Sequence, residues 1–123
     1  MKIQGITIKL SADTKELQSA LSGVNSNLSS TQSELRKIQN QLKFDPTSTV
    51  LLAQKQELLG KAAKESEEKL KLLREMLEKH NAEMKGAAVV TDEMKAQHRA
   101  LEREIAKTES QMKSYRDSVD KLD

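Results

Sequence analysis

Three stretches of the chain repeat apolar residues at alternating spacings of four and three, and this repeat restricts the fold more than any other feature. The stretches cover residues 17–42, 52–84 and 94–122. Alternation of four and three puts one apolar residue on the same side of an α-helix at every turn, so that side becomes a continuous packing seam. The sequence therefore predicts an all-α fold, an elongated antiparallel coiled coil of about three long helices.

The seams are built mostly from leucine, and polar residues fill a few of their positions. At roughly 1.5 Å per residue, helices of these lengths are rods that must bury their seams on other helices or other subunits. Whether the helices pack within one chain or between chains is left open by the pattern, and so is the oligomeric state. The residues expected to carry packing and self-association are Leu17, Leu21, Val24, Leu28, Leu35, Ile38, Leu42, Leu52, Leu59, Leu70, Leu73, Leu77, Leu101, Ile105, Met112, Tyr115 and Val119.

The composition agrees with narrow seams and not with a broad globular core. Charged residues make up 33% of the chain, and Phe44 and Tyr115 are its only aromatic residues. A compact core usually draws on several aromatic side chains. On the second helix, acidic residues precede basic residues by four positions, as in Glu65 with Lys69. Such pairs predict a solvated helix surface.

Residues 44–49 form the clearest break in the helical pattern. Pro46 disfavours helical dihedral angles at the residue before it. We therefore expect a turn here, with Asp45 capping the next helix and Pro46 at its first position. A turn this short favours antiparallel neighbours.

A second interruption follows at residues 86–90, where Gly86 is expected just past the end of a helix and Thr91 at the N-cap of the next. The alternative is that 87–90 is helical and the second and third helices are one rod. Asp13, with Glu16 three residues later, predicts the start of the first helix. The predicted segments are an N-terminal arm at 1–12, helices at 13–43, 46–85 and 91–123, a turn at 44–49 and a break at 86–90.

Residues 2–10 read as one β-strand ahead of the helices. Ile6, Ile8 and Leu10 alternate with polar residues, the period-two pattern of a half-buried strand. A lone strand cannot satisfy its own backbone hydrogen bonds, so these residues are expected to pair with another copy or another protein. A frayed N-terminal arm is the alternative.

No motif in the sequence indicates catalysis, a cofactor or a metal. His80 and His98 both lie on seam positions, and the chain has no cysteine and no HExxH motif. We expect these histidines to be polar seam residues, and we expect no enzymatic activity and no small-molecule substrate. The net charge of +2 is spread evenly, which gives no case for specific nucleic-acid binding. No apolar run approaches the roughly 20 residues that cross a membrane.

Three segments carry a resemblance to a known family. They read Ile-Gln-Gly-Ile-Thr-Ile-Lys-Leu-Ser-Ala-Asp-Thr at 3–14, Leu-Arg-Lys-Ile-Gln-Asn-Gln-Leu-Lys-Phe-Asp-Pro-Thr at 35–47, and Leu-Leu-Ala-Gln-Lys-Gln-Glu-Leu-Leu at 51–59. In this order they resemble the N-terminal region of tail tape-measure proteins from long-tailed phages and prophages of Gram-positive bacteria. Residues 101–109 are similar to the same family, more weakly.

The resemblance implies a structural protein that sets tail length during tail assembly. It implies contacts with tail tube or tail-assembly chaperone proteins, and a location in the bacterial host cytoplasm during assembly and then in the virion tail. Members of the family are far longer than 123 residues, so the chain is expected to be a segment of a longer protein. The alternative function is a generic coiled-coil binding module, or a chaperone-like adaptor that grips a client between helix tips.

Overall fold

The computed structural model describes residues 1–9 and 14–122, and these form two short strands and three long helices. The prediction of an all-α fold with three long helices is confirmed, because the helices pack against one another over most of their length. The elements are β1 (Lys2–Ile3), β2 (Ile6–Thr7), α1 (Lys15–Phe44), α2 (Thr49–Gly86) and α3 (Asp92–Leu122).

The helix α2 lies between α1 and α3 and runs antiparallel to both. Two ion pairs show the direction on the α3 side: Arg74 Nη2 lies 2.8 Å from Glu109 Oε1, and Arg116 Nη2 lies 3.0 Å from Glu67 Oε2. From Arg74 back to Glu67 on α2, the partners advance from Glu109 to Arg116 on α3. The two helices therefore run antiparallel. The seams therefore meet within one chain, which answers the question that periodicity alone left open.

The core consists of two apolar clusters along the bundle axis. One lies beside the strands and draws on all three helices, and the other lies toward the α1–α2 turn. Full burial of a leucine or methionine side chain contributes about 1.5–3 kcal/mol, so these clusters dominate stability. The first cluster contains Ile3, Ile8, Leu21, Leu73, Met76, Ala100 and Leu101; the second contains Leu28, Leu35, Leu59 and Ala62, with Tyr115 and Val119 packed against it.

The N-terminal segment forms a hairpin, which corrects the expectation of a single strand seeking an external partner. β1 and β2 pair antiparallel, Lys2 with Thr7 and Ile3 with Ile6. The turn between them has positive φ at Gln4 (53°) and at Gly5 (75°), the signature of a two-residue type I′ turn. A glycine adopts such angles without strain, and this lets the chain reverse within a segment whose alternation resembles one strand.

Of the residues predicted to pair in that strand, Ile6 lies in β2 and Ile8 follows it. Ile8 is buried in the first core cluster, and its N–H donates to the carbonyl of Met1 at 2.7 Å. Leu10 lies outside the described residues, and so does Asp13, the predicted cap of the first helix. The hairpin segment therefore packs on the helices through Ile8.

The turn between α1 and α2 differs from the predicted capping pattern. Asp45 is the C-cap of α1 and Pro46 lies in the turn, so neither begins the next helix. Ser48 is the N-cap of α2, and its Oγ accepts a hydrogen bond from the N–H of Leu51 at 3.2 Å. Serine and aspartate are equally good N-caps. Ser48 caps α2 because its side-chain oxygen lies within reach of the third N–H of that helix.

The turn between α2 and α3 is a true break, so the two helices are not one rod. Gly86 is the last residue of α2 and has no positive φ, and Ala87 is the extended C-cap, which corrects the role predicted for Gly86. The Oγ1 of Thr91 accepts from the N–H of Met94 at 3.1 Å, as expected of an N-cap.

Candidate functional site at the open end of the bundle

The structure places nearly all of the predicted seam residues at contacts inside the chain. Leu52 is the exception, because 36% of its surface is exposed near the start of α2. Packing within the chain uses these side chains, and self-association through them stays a prediction. Seven are buried: Leu21, Leu28, Leu35, Leu59, Leu70, Leu73 and Leu101. Nine are partly buried: Leu17, Val24, Ile38, Leu42, Leu77, Ile105, Met112, Tyr115 and Val119.

The two seam histidines meet where α2 and α3 pack near their shared turn. The rings of His80 and His98 lie 6.1 Å apart between centroids, tilted by 30°. Nε2 of His80, a residue only 2% exposed, is 3.2 Å from Oε1 of Gln97, and Nε2 of His98 is 2.9 Å from Oε1 of Glu102. Among residues 1–9 and 14–122, no group of three or more His, Cys, Asp or Glu side chains is arranged to hold a metal ion.

A partly buried polar group joins the hairpin to the helices, and sequence reasoning missed it. Nζ of Lys69 lies 3.0 Å from Oε1 of Glu104, and Nε2 of Gln4 donates to the other oxygen of Glu104. Burial alone would raise the pKa of Glu104. The hydrogen bonds from Lys69 and Gln4, with the positive charges of Lys69 and Lys107, outweigh burial and hold that pKa below its usual value.

The same contacts correct the predicted surface pairing of Glu65 with Lys69. Lys69 reaches across to α3, and Glu65 instead accepts a hydrogen bond from the hydroxyl of Thr31 on α1. Local spacing predicted a pair along one helix because no local signal reveals a partner on another helix. Gln4 and Glu104 are 100 residues apart in the chain.

The turn between α1 and α2 lies at the end of the bundle opposite the histidines. The side chains of Phe44 and Val50 flank this turn and are exposed, and we call this end of the bundle the open end. Val119 packs against the neighbouring cluster that contains Leu35 and Leu59.

Exposed apolar side chains occur at this open end, as Val89 and Val90 do at the turn between α2 and α3. Phe44 is 92% exposed and Val50 is 66% exposed. Leu52, which is also exposed, follows Val50 by two residues along α2. Phe44 and Val50 fall outside the seams, which is the one sequence signal that could have marked them as surface residues. One of the chain's two aromatic residues is thus left out of the core, which makes this end the candidate contact surface.

A groove between α1 and α2 leads away from these side chains. Ile38 and Leu58, both partly buried, supply its apolar lining, and Gln41 and Gln54 also line it. Four charged residues complete the lining: Glu34, Lys37, Glu57 and Lys61. In the part of the chain that the structure describes, none of these four forms an ion pair, so their charges are free for a partner.

The open end offers apolar contact and free charges of both signs, which suits protein binding better than chemistry on a small molecule. Within the described residues, no helix has the length and mean hydropathy that crossing a bilayer requires. Comparison of the chain with protein-family models, with curated proteins and with solved structures finds no match in any of the three. The tape-measure assignment therefore rests on the sequence resemblance alone.

Proposed function

We propose that this chain is a structural assembly segment, the N-terminal part of a phage tail tape-measure protein that sets tail length during tail assembly. The observation that carries the proposal is the placement of the Phe-Asp-Pro-Thr motif at 44–47. This motif belongs to the segments that resemble the family, and its Phe44 is almost fully exposed at the open end of the bundle. A side chain that the fold does not use is available for a partner.

The first of the resembling segments, at 3–14, has a different place in the structure in its described part. Residues 3–9 form most of the hairpin, which packs on the helices beside the first core cluster, where Ile3 and Ile8 are buried. Its role in the proposal is to hold the helices together so that the open end is presented on a rigid rod. The partners proposed for the open end are tail tube or tail-assembly chaperone proteins, in the host cytoplasm during assembly and later in the virion tail.

The test is binding to the tail tube protein encoded in the same genome. Residues 1–123 and the purified tube protein are mixed and run on a size-exclusion column with light scattering. We expect co-elution, and we expect Phe44→Ala to abolish it. Val89→Ala is the matched control, because Val89 is also exposed (73%) but lies in the turn at the other end.

The proposal fails if neither the tube protein nor the tail-assembly chaperone of that genome binds the chain. It also fails if the genes around the coding sequence specify no tail components. Equal loss of binding in the Phe44 and Val89 variants would mean that the open end is not the binding surface.

A second function, a client-binding adaptor, is supported by one observation. Exposed apolar side chains occur at both ends of the bundle, Phe44 and Val50 at one and Val89 at the other, as a protein that grips clients with its helix tips would show. Suppression of aggregation of reduced insulin by the chain, in proportion to its concentration, would favour this function. An assembly segment is expected to leave insulin aggregation unchanged.

A further inference from the structure

The exposed side of α1 near its C-terminal end carries one stripe of residues, centred on Gln41. Glu34, Lys37, Ile38 and Gln41 all line the groove, and Phe44 follows Gln41 by three positions. Residues separated by three, four and seven positions share one face of a helix, so these side chains form a continuous surface that ends at the exposed phenylalanine.

This stripe is complementary to itself under a two-fold rotation. When two α1 helices cross antiparallel with the axis at Gln41, residues equally distant from Gln41 on opposite sides face each other. Phe44 then faces Ile38, an exposed aromatic ring against the apolar lining of the groove. Asp45, the C-cap directly after α1, then lies opposite Lys37 near the end of the contact, and neither residue forms an ion pair within the described residues.

We infer that the open end binds a second copy of this chain, with Phe44 of each copy in the α1–α2 groove of the other and Asp45 paired with the partner subunit's Lys37. Symmetry makes each of these contacts twice. Leu58, on the α2 side of the groove, completes the apolar lining that receives the ring. The contact rests on the proposed assembly function and names one partner for the same surface.

The charge pattern selects this occupant over an unrelated apolar segment. The groove carries two acidic and two basic residues and no net charge, so it has no preference for a strongly acidic or basic partner. The position of Asp45, one residue beyond Phe44, matches that of Lys37, one residue before Ile38. Such a match about a single axis is what an isologous contact requires.

The contact is small, because it uses about three turns of each helix. Stable dimers usually bury more than about 1,000 Å² in total, so association through one tip should be weak and dependent on concentration. A disulfide formed across the two-fold axis makes such a weak contact permanent, so the contact can be detected. The chain has no cysteine, so a single introduced cysteine can form a disulfide only between copies.

The first experiment compares Gln41→Cys with Gln39→Cys under mild oxidation. Two residues on a two-fold axis come within the Cα separation of about 4.4–6.8 Å that a disulfide needs. Gln39 lies on the other side of α1, where it lines a groove with Leu35 and Ser118, and it serves as the matched control. We expect mostly covalent dimer for Gln41→Cys and several-fold less for Gln39→Cys. Equal yields from the two variants would overturn the inference.

The second experiment reverses the charges, with sedimentation velocity as the readout. Lys37→Glu alone and Asp45→Lys alone should each weaken dimerisation by about tenfold, because each replaces two attractive pairs by two repulsive ones. The double variant restores opposite charges and should recover most of the affinity. Both sites are exposed, and circular dichroism at 222 nm verifies that each variant is folded.

A double variant that dimerises no better than the single ones would overturn the two-fold contact. Binding of the wild-type chain to the tail tube protein is a separate measurement. If the chain binds the tail tube protein but the dimer tests fail, the proposed assembly function is retained and only the dimer contact is refuted. If the chain does not bind the tail tube protein, the proposed assembly function loses its support, whatever the cross-linking result.

Discussion

Replacing Ser66 by alanine should make the protein more stable. Ser66 is fully buried on α2, and its Oγ has no hydrogen-bond partner among the described residues. A buried hydroxyl without a partner loses its hydrogen bonds to water on folding, and no residue in the described part of the chain replaces them. Alanine removes that penalty and is also the better helix former.

The expected gain follows from three terms. Burial of an unsatisfied hydroxyl costs about 1–3 kcal/mol. The higher helix propensity of alanine adds up to about 0.5 kcal/mol. Removal of one oxygen atom leaves a small void, which subtracts about 0.5 kcal/mol at about 24 cal/mol per Å³. Ser66→Ala should therefore raise the free energy of unfolding by about 1–3 kcal/mol.

Urea denaturation followed by circular dichroism at 222 nm measures this change, provided that the m-value is the same in both proteins. Thr31→Val is the matched control, because Thr31 is buried on α1 but its hydroxyl donates to the carboxylate of Glu65. That variant should lose about 1–2 kcal/mol. A neutral or destabilising Ser66→Ala would refute the reasoning, because it would show that the hydroxyl is satisfied in the folded protein.

Three further predictions test the core, the polar group and the cap. Leu73→Ala should lower the free energy of unfolding by about 2–5 kcal/mol, and Leu52→Ala by less than about 1 kcal/mol, because Leu73 is fully buried and Leu52 is not; urea denaturation compares the two. The pKa of Glu104 is lower in the folded chain than in the unfolded chain, so its contribution to stability is full above the unfolded pKa and disappears as the pH falls through the folded pKa. Urea midpoints of wild type and Glu104→Gln should differ at pH 7 and converge as the pH falls into the acid range, and a constant difference would contradict this. Ser48→Ala should cost about 1 kcal/mol through loss of the α2 cap, and an unchanged thermal midpoint would show that the cap is dispensable.

The helices could be read from the sequence, and some of their ends could not. The alternation of four and three is a local property, and it covers most of the residues that the structure buries in the helices. Four buried residues lie outside it: Ala62, Met76, Gln97 and Ala100. The start of α2 could not be predicted because two residues, Asp45 and Ser48, are both suitable N-caps. In the structure the side-chain oxygen of Ser48 lies at the first turn of α2. Both residue types favour caps, so composition did not distinguish them, and only the path of the turn after Pro46 did.

The hairpin shows a different limit. Period-two alternation predicted extended structure, and the residues are extended, but the reversal at Gln4 depends on backbone angles that the pattern does not encode. Gly5 was the available signal for a turn. The candidate site could be predicted only in part. Asp45 and Pro46 marked the turn, whereas the exposure of Phe44 depends on how the helices pack in the folded chain.

The sequence by itself predicted long amphipathic helices with a turn at 44–49, because helix periodicity and helix-ending residues act over a few turns. It left open whether residues 86–90 break the second helix from the third or continue one rod. The tertiary structure decided that the seams meet within one chain and that the hairpin docks through Gln4 on Glu104. It also decided that the side chains of Phe44 and Val50 stay exposed beside the α1–α2 turn. These features depend on contacts between residues far apart in the chain, and no local pattern contains such contacts.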